Sequence, residues 1–183
     1  EVEVRLNTNE SPLPPPPGFV ESLADGIRGL SLNRYPDRAA FRLREGLADR
    51  YGLEVGQVFA ANGSNEVIQS VLLAYGGPQR SVAVFEPTYA MHGQIALTTG
   101  TRVIRGRRLG DFLLDLSQVE SLVRAERPEI LFLCSPNNPT GTIDPDGLLD
   151  VVLNAVGVYG GLVVVDEAYG QFTPNTAVDR IGE

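Results

Sequence analysis

The chain has 183 residues, 43% of them hydrophobic, and a formal net charge of −8. No apolar run approaches the ~20 residues of a membrane-spanning helix, so the composition describes a soluble globular domain with material for a sizeable core and no membrane partner. The acidic balance, with a sequence pI near 4.7, argues against a polyanion-binding face and so against nucleic acid; only Arg105, Arg107 and Arg108 cluster.

Cys134 is the single cysteine, which leaves no disulfide framework, and no signal peptide or transit segment is expected. A cytoplasmic protein is the expectation. All fifteen basic residues are arginine and none is lysine, where a chain of this size ordinarily carries roughly ten lysines. Coding bias toward Arg, Ala, Gly and Pro accounts for the surface positions. The sequence opens without Met and stops at "VDRIGE" with no closing element, so both ends are expected to be cut.

In chain order, residues 6–18, "LNTNESPLPPPPG", cannot form a helix and are expected to run extended or as polyproline II up to a first helix near Phe19. Residues 1–36 are read as an arm with that first helix, and 37–183 as the main domain. From residue 37, apolar helices at about 38–51, 65–75, 88–99, 117–125 and 145–156 alternate with strands near 57–61 and at 81–85, 101–105, 130–134 and 162–166. The last strand, "LVVV" before Asp166, is mostly β-branched and reads as buried on both faces of a parallel sheet. The alternation specifies an α/β fold with an open, mostly parallel sheet flanked by helices.

Ligands of such sheets sit beyond the carboxyl ends of the strands, so the residues just after each strand carry the information. After "VFAA" comes Asn62-Gly63-Ser64-Asn65-Glu66, opening a helix with Val67, Ile68, Val71 and Leu72 at helical spacing. Its small residues and free N–H groups suit an anion, most naturally a phosphate, against the competing reading of a plain N-cap by Ser64 or Asn65. After "VAVFE", Pro87-Thr88-Tyr89 brings an aromatic ring to the same edge, where packing is the alternative role. After "ILFLC", Ser135-Pro136-Asn137-Asn138-Pro139-Thr140-Gly141 is a rigid turn rich in side-chain amides, a composition that turn chemistry alone also favours. Asp166 and Tyr169, three residues apart after "LVVV", stand where one turn of backbone aims both at one ligand.

Other chemistries lack their residues. No G-x-G-x-x-G follows a strand, and there is no lysine for a phosphate-binding G-x-x-x-x-G-K-[ST] loop. Zinc would need more than His92 and Cys134, which are expected on a helix surface and in a buried strand. No G-x-S-x-G elbow offers a hydrolytic nucleophile.

Together "ANGSNE", "EPTYAMH", "CSPNNPTG" and "VVVDEAY" resemble, in order and spacing, the pyridoxal-phosphate-dependent aminotransferases of fold type I, over nearly the whole chain. With "RLNTNESP" and "NRYPD" ahead of them, they look most like the amino-terminal half of the histidinol-phosphate aminotransferases. The resemblance implies that residues 37–183 are an incomplete cofactor-binding large domain and that the cofactor is pyridoxal 5'-phosphate. Asp166 would then hold the ring nitrogen protonated, Asn138 and Tyr169 would bond the phenolic oxygen, and Tyr89 would stack on the ring. Ser64 and Asn65 would cradle the phosphate, and Tyr35 would reach the cofactor phosphate of the other subunit of a homodimer. The implied substrates are L-histidinol phosphate and 2-oxoglutarate or glutamate. Two departures stand out: Ser11 replaces a residue often aromatic in the family, and the Schiff-base lysine, with the arginines for phosphate and carboxylate, is implied to lie beyond Glu183. No catalytic residue is therefore assigned within this chain. Another enzyme of the scaffold, such as a threonine-phosphate decarboxylase or an aromatic aminotransferase, and a non-catalytic truncated phosphate-binding module remain alternatives.

Overall fold

The computed structural model describes residues 9–182. Of the opening motif "RLNTNESP", residues 5–8 lie outside the described residues. The chain divides into two compact units, one up to Phe41 and one from Arg42 onward. In the first, residues 9–16 form no regular element, and Pro16 has polyproline II dihedrals (φ −53°, ψ 142°) just before α1, Pro17–Arg28. Pro17 at the first helical position loses no hydrogen bond there. The apolar residues of α1, Phe19, Val20, Leu23 and Ile27, are all exposed. Asp37 accepts from the amides of Ala39 (3.0 Å) and Phe41 (2.7 Å), which delays α2, Phe41–Tyr51, past its expected start at 38.

The second unit is built on four strands, β1 (Ser81–Glu86), β2 (Arg102–Arg107), β3 (Ile130–Cys134) and β4 (Leu162–Asp166), all parallel, in the order β2-β1-β3-β4. The helices between them are α3 (Ser64–Tyr75), α4 (Ala90–Thr98), α5 (Leu116–Glu126) and α6 (Leu148–Gly157). Strand alternation sends Val82, Val84, Ile130 and Phe132 to one face, where they meet Ile68 and Leu72 of α3 and Ile95 and Ala96 of α4. Ala83, Phe85, Leu131 and Leu133 go to the other face and meet Val119 and Val123 of α5 and Val152 and Val156 of α6. The sheet is therefore covered on both sides, which is why β1 and β3 read as continuous apolar runs.

Two expectations fail. No strand forms at 57–61: Val55–Gln57 is a 3₁₀ helix, and Arg44 of α2 donates to the carbonyls of Val58 (2.6 Å) and Val55 (2.7 Å), acceptors that a ladder would use. β4 is not buried on both faces; like β2 it is an edge strand, and all five of its residues are half-buried. α6 also begins later than expected, because Gly147 takes a left-handed conformation (φ 81°) at its N-cap.

The feature that positions a site is the reversal of strand order. From β1 the chain goes to β2 on one side, then crosses to β3 on the other, so the loops after β1 and β3 diverge and leave a crevice at their carboxyl ends. Among the described residues no helix is long and apolar enough to cross a membrane.

Candidate functional site

The crevice is bridged by Asn137. This buried side chain donates through Nδ2 to the Pro87 carbonyl (3.1 Å) and to Thr140 Oγ1 (2.7 Å), and its Oδ1 accepts from Thr88 Oγ1 (3.0 Å). The loops after β1 and β3 are thereby locked to each other. Of the two neighbouring asparagines, Asn137 is consumed by structure. Asn138 is half-buried, its backbone N–H points to Cys134 Sγ (3.5 Å), and its side chain makes no hydrogen bond among the described residues, leaving both amide atoms for a ligand.

Asp166 ends β4 with its side chain 13% exposed. One oxygen accepts from the Ala168 amide (3.0 Å), and the other faces His92 Nε2 at 2.8 Å. Burial pushes the Asp166 carboxyl pKa up, but the His92 hydrogen bond, the Ala168 amide and the charge interaction with His92 outweigh it and hold the group below the ordinary carboxylate range. Asp166 is thus an ionised, oriented anion at neutral pH.

His92 is not on a helix surface, as expected from the sequence, but completely buried. It stacks on Phe132 of β3 (centroids 4.5 Å, planes 10° apart) and meets the Tyr89 ring edge-on (5.3 Å, 83°). On α4, His92 shares the covered face with Ile95 and Ala96, one turn further on, whereas Gln94, Leu97 and Thr98 face solvent. The position three residues after Tyr89 on the same helix turn was the available signal.

Tyr89 itself, half-buried at the N-cap of α4, donates from its hydroxyl to Asn65 Oδ1 (3.1 Å). That bond joins the loop after β1 to the start of α3. There Gly63, at φ 88°, is the N-cap; neither Ser64 nor Asn65 caps the helix, and no other side chain does. The exposed first turn of α3 therefore keeps the partial positive charge and donors of a helix start available to an anion.

The structure thus connects Asn65, Tyr89, His92 and Asp166 in one chain of contacts, and Asp166 to the asparagine turn through the Ser135 amide, which donates to the Asp166 carbonyl at 3.1 Å. Tyr169 follows Asp166 through a turn closed by the Gly170 amide and the Glu167 carbonyl (2.8 Å), and its ring lies tilted against Phe172 (6.5 Å). Tyr35 belongs to the first unit, is 90% exposed and has the Arg38 guanidinium 5.9 Å from its ring centre. The arginine cluster is not a basic patch: Arg105 pairs with Glu86 (3.0 Å) and Arg108 with Asp144 (2.8 Å). Cys134 is buried at the end of β3, with burial raising its thiol pKa.

Chemically, the crevice offers an anion-accepting helix start, a flat aromatic ring, an unused amide and an ionised carboxylate, a set that suits a phosphorylated aromatic heterocycle with a basic nitrogen. Residues 1–182 match the model of the family "Aminotransferase class I and II". The chain is 47% identical over 181 residues to a histidinol-phosphate aminotransferase of Frankia casuarinae, covering 94% of this chain and 46% of that one. A histidinol-phosphate aminotransferase of Mycolicibacterium smegmatis is 43% identical, with 94% of this chain and 82% of that one covered. The crystal structure of an aspartate aminotransferase from Thermotoga maritima superposes with a TM-score of 0.82 at 24% identity, over 94% of this chain and 49% of that one, which shows the shared fold type I architecture. The chain spans about half the length of the first curated relatives it matches. By sequence over nearly its entire length, the chain belongs to the aminotransferase class I and II family.

Proposed function

We propose that the chain supplies the cofactor-holding half of the active site of an enzyme that reversibly exchanges an amino group between L-histidinol phosphate and 2-oxoglutarate. The observation that carries this reading is the Asp166 carboxylate, kept ionised at a strand end 2.8 Å from the buried His92. The substrate assignment is supported by the relatives at 40–47% identity, which are histidinol-phosphate aminotransferases.

The residues present fit pyridoxal 5'-phosphate. The uncapped start of α3 with Ser64 and Asn65 takes the phosphate, Tyr89 offers its ring face, and the free amide of Asn138 together with the Tyr169 hydroxyl serves the phenolic oxygen. Asp166 stands at the ring nitrogen, where a fixed carboxylate favours the protonated form. When bound, the cofactor supplies the electron sink for bond breaking at the substrate α-carbon. The protein's part is orientation: Asp166 is held by His92 and the Ala168 amide, and Asn138 by a turn whose other asparagine is already committed. With no lysine among its 183 residues, the chain holds none of the primary amines that bond the cofactor and move the α-proton, so that group comes from elsewhere in the complete protein. To the exposed Tyr35 we assign contact with the cofactor phosphate of a second subunit, which would make the complete protein a homodimer.

Asp166→Asn in the complete protein tests the reading. An amide is nearly isosteric, so fold and cofactor content should persist, while turnover falls on the order of 100-fold or more because a neutral partner no longer favours the protonated nitrogen. Asp166→Glu should do less damage. Near-normal transamination by the Asn variant would reduce Asp166 to a structural role.

A further inference from the structure

Arg108 directly follows β2 and forms a buried ion pair with Asp144, Nη1 to Oδ1 at 2.8 Å, the two side chains being 1% and 7% exposed. The same guanidinium donates to the carbonyls of Phe112 (3.1 Å) and Cys134 (3.3 Å). The Asp144 amide in turn donates to Ser135 Oγ (3.2 Å). Cys134 and Ser135 begin the asparagine turn and Asp144 ends it, so the pair closes the base of the loop that carries Asn137 and Asn138. Within the loop the Asn137 amide donates to the Thr142 carbonyl (2.8 Å) and the Gly141 amide to the Asn137 carbonyl (2.7 Å). Thr142 Oγ1 also donates to the Phe112 carbonyl (3.3 Å), the acceptor it shares with Arg108.

A buried ion pair is a poor way to stabilise a fold, since desolvating both charges offsets most of their attraction and two packed apolar side chains serve as well. Here Arg108 Nε and Asp144 Oδ2 are buried without a hydrogen-bond partner among the described residues, and burial raises the Asp144 pKa in spite of the arginine. What the pair does provide is direction: a planar guanidinium reaches three acceptors on three segments at set angles. We infer that Arg108 and Asp144 are positioning residues, whose ion pair fixes the asparagine turn so that Asn138 presents its amide to the cofactor. This rests on the assignment of Asn138 to the phenolic oxygen made above.

The test compares Asp144→Ala, Asp144→Asn and Asn138→Ala in the complete protein, reading the cofactor dissociation constant and visible absorption band well below the thermal midpoint. Loss of a donor at the phenolic oxygen raises the proton affinity of that oxygen and so changes the visible band of the bound cofactor. Asp144→Ala should weaken cofactor binding about tenfold and shift the band in the same sense as Asn138→Ala, while Asp144→Asn, which keeps an acceptor for Arg108, restores most of both. If Asn138→Ala shifts the band and Asp144→Ala does not, the positioning role is overturned while the cofactor assignment stands. If Asn138→Ala leaves band and affinity unchanged, the assignment falls and the inference with it. Should Asp144→Ala fail to fold, the apolar pair Arg108→Met with Asp144→Leu replaces it: a band shift in a stable double variant supports positioning, and an unchanged band overturns it.

Discussion

The proton between His92 and Asp166 sits on His92 Nε2, because an ionised carboxylate only accepts. His92 Nδ1 is left buried with no partner among the described residues, so the imidazole gives its one useful hydrogen bond to Asp166. Replacing it by phenylalanine, which preserves the stack on Phe132, should cost about 1–3 kcal/mol at neutral pH, since a mostly buried carboxylate loses its charged-group hydrogen bond. The pH dependence has a defined sign. Asp166 is held below its unfolded value by His92 and the Ala168 amide, so its stabilising contribution is complete above about pH 4 and is lost as pH falls through the folded pKa. His92→Phe removes the histidine's share of that depression and leaves the Ala168 amide alone against the burial that raises the carboxyl pKa, so the variant's deficit should be greatest near pH 7 and shrink toward pH 3. Urea melts of both proteins across this range provide the check, and a deficit that grows in acid would mean that His92 acts through packing alone.

At the scale of elements, the first turn of α3 is a helix start within the site, and Gly63 rather than a polar side chain caps it. The Gly63 amide already donates to the Ala61 carbonyl (3.0 Å), so the donors open to an anion are those of residues 64–66. In cofactor-free protein, millimolar inorganic phosphate should slow amide exchange at 64–66 severalfold, and stronger protection at another helix start would move the phosphate site elsewhere. These elements differ in how plainly the chain declares them. β1 and β3 were legible because both faces are covered and their runs 82–85 and Ile130–Cys134 are apolar; β4 carries a similar apolar run, and nothing in it reveals that one edge lacks a neighbour. The missing strand at 57–61 depends on Arg44, whose reach to the Val55 and Val58 carbonyls is a tertiary fact without a local pattern. Asp166, Tyr89 and the asparagine turn could be read from their places after strands. Which of Asn137 and Asn138 stays free is decided by contacts to Pro87 and Thr88, about fifty residues away, and no spacing encodes that.

For the whole molecule, the composition bears directly on chemistry. The fold places a carboxylate, an aromatic ring, an amide and a helix start around one crevice, yet none of the fifteen basic residues is lysine. A covalent link to the aldehyde of pyridoxal phosphate needs a primary amine; arginine cannot serve, because its guanidinium stays protonated. The α-amino group of Glu1 is the one primary amine of the chain, and it lies outside the described residues, far in sequence from Ser64 and Asp166. The 183-residue chain by itself should therefore hold the cofactor weakly and reversibly, through the start of α3, Tyr89 and Asp166, with no transaminase activity. Incubation with pyridoxal phosphate, borohydride reduction and peptide mapping should then return no adduct on any internal residue, whereas the complete protein should return a single one on a lysine outside this sequence. An internal adduct in the 183-residue chain, or amino transfer by it alone, would show that the chemistry does not depend on the missing amine and would overturn the division of labour proposed for the site.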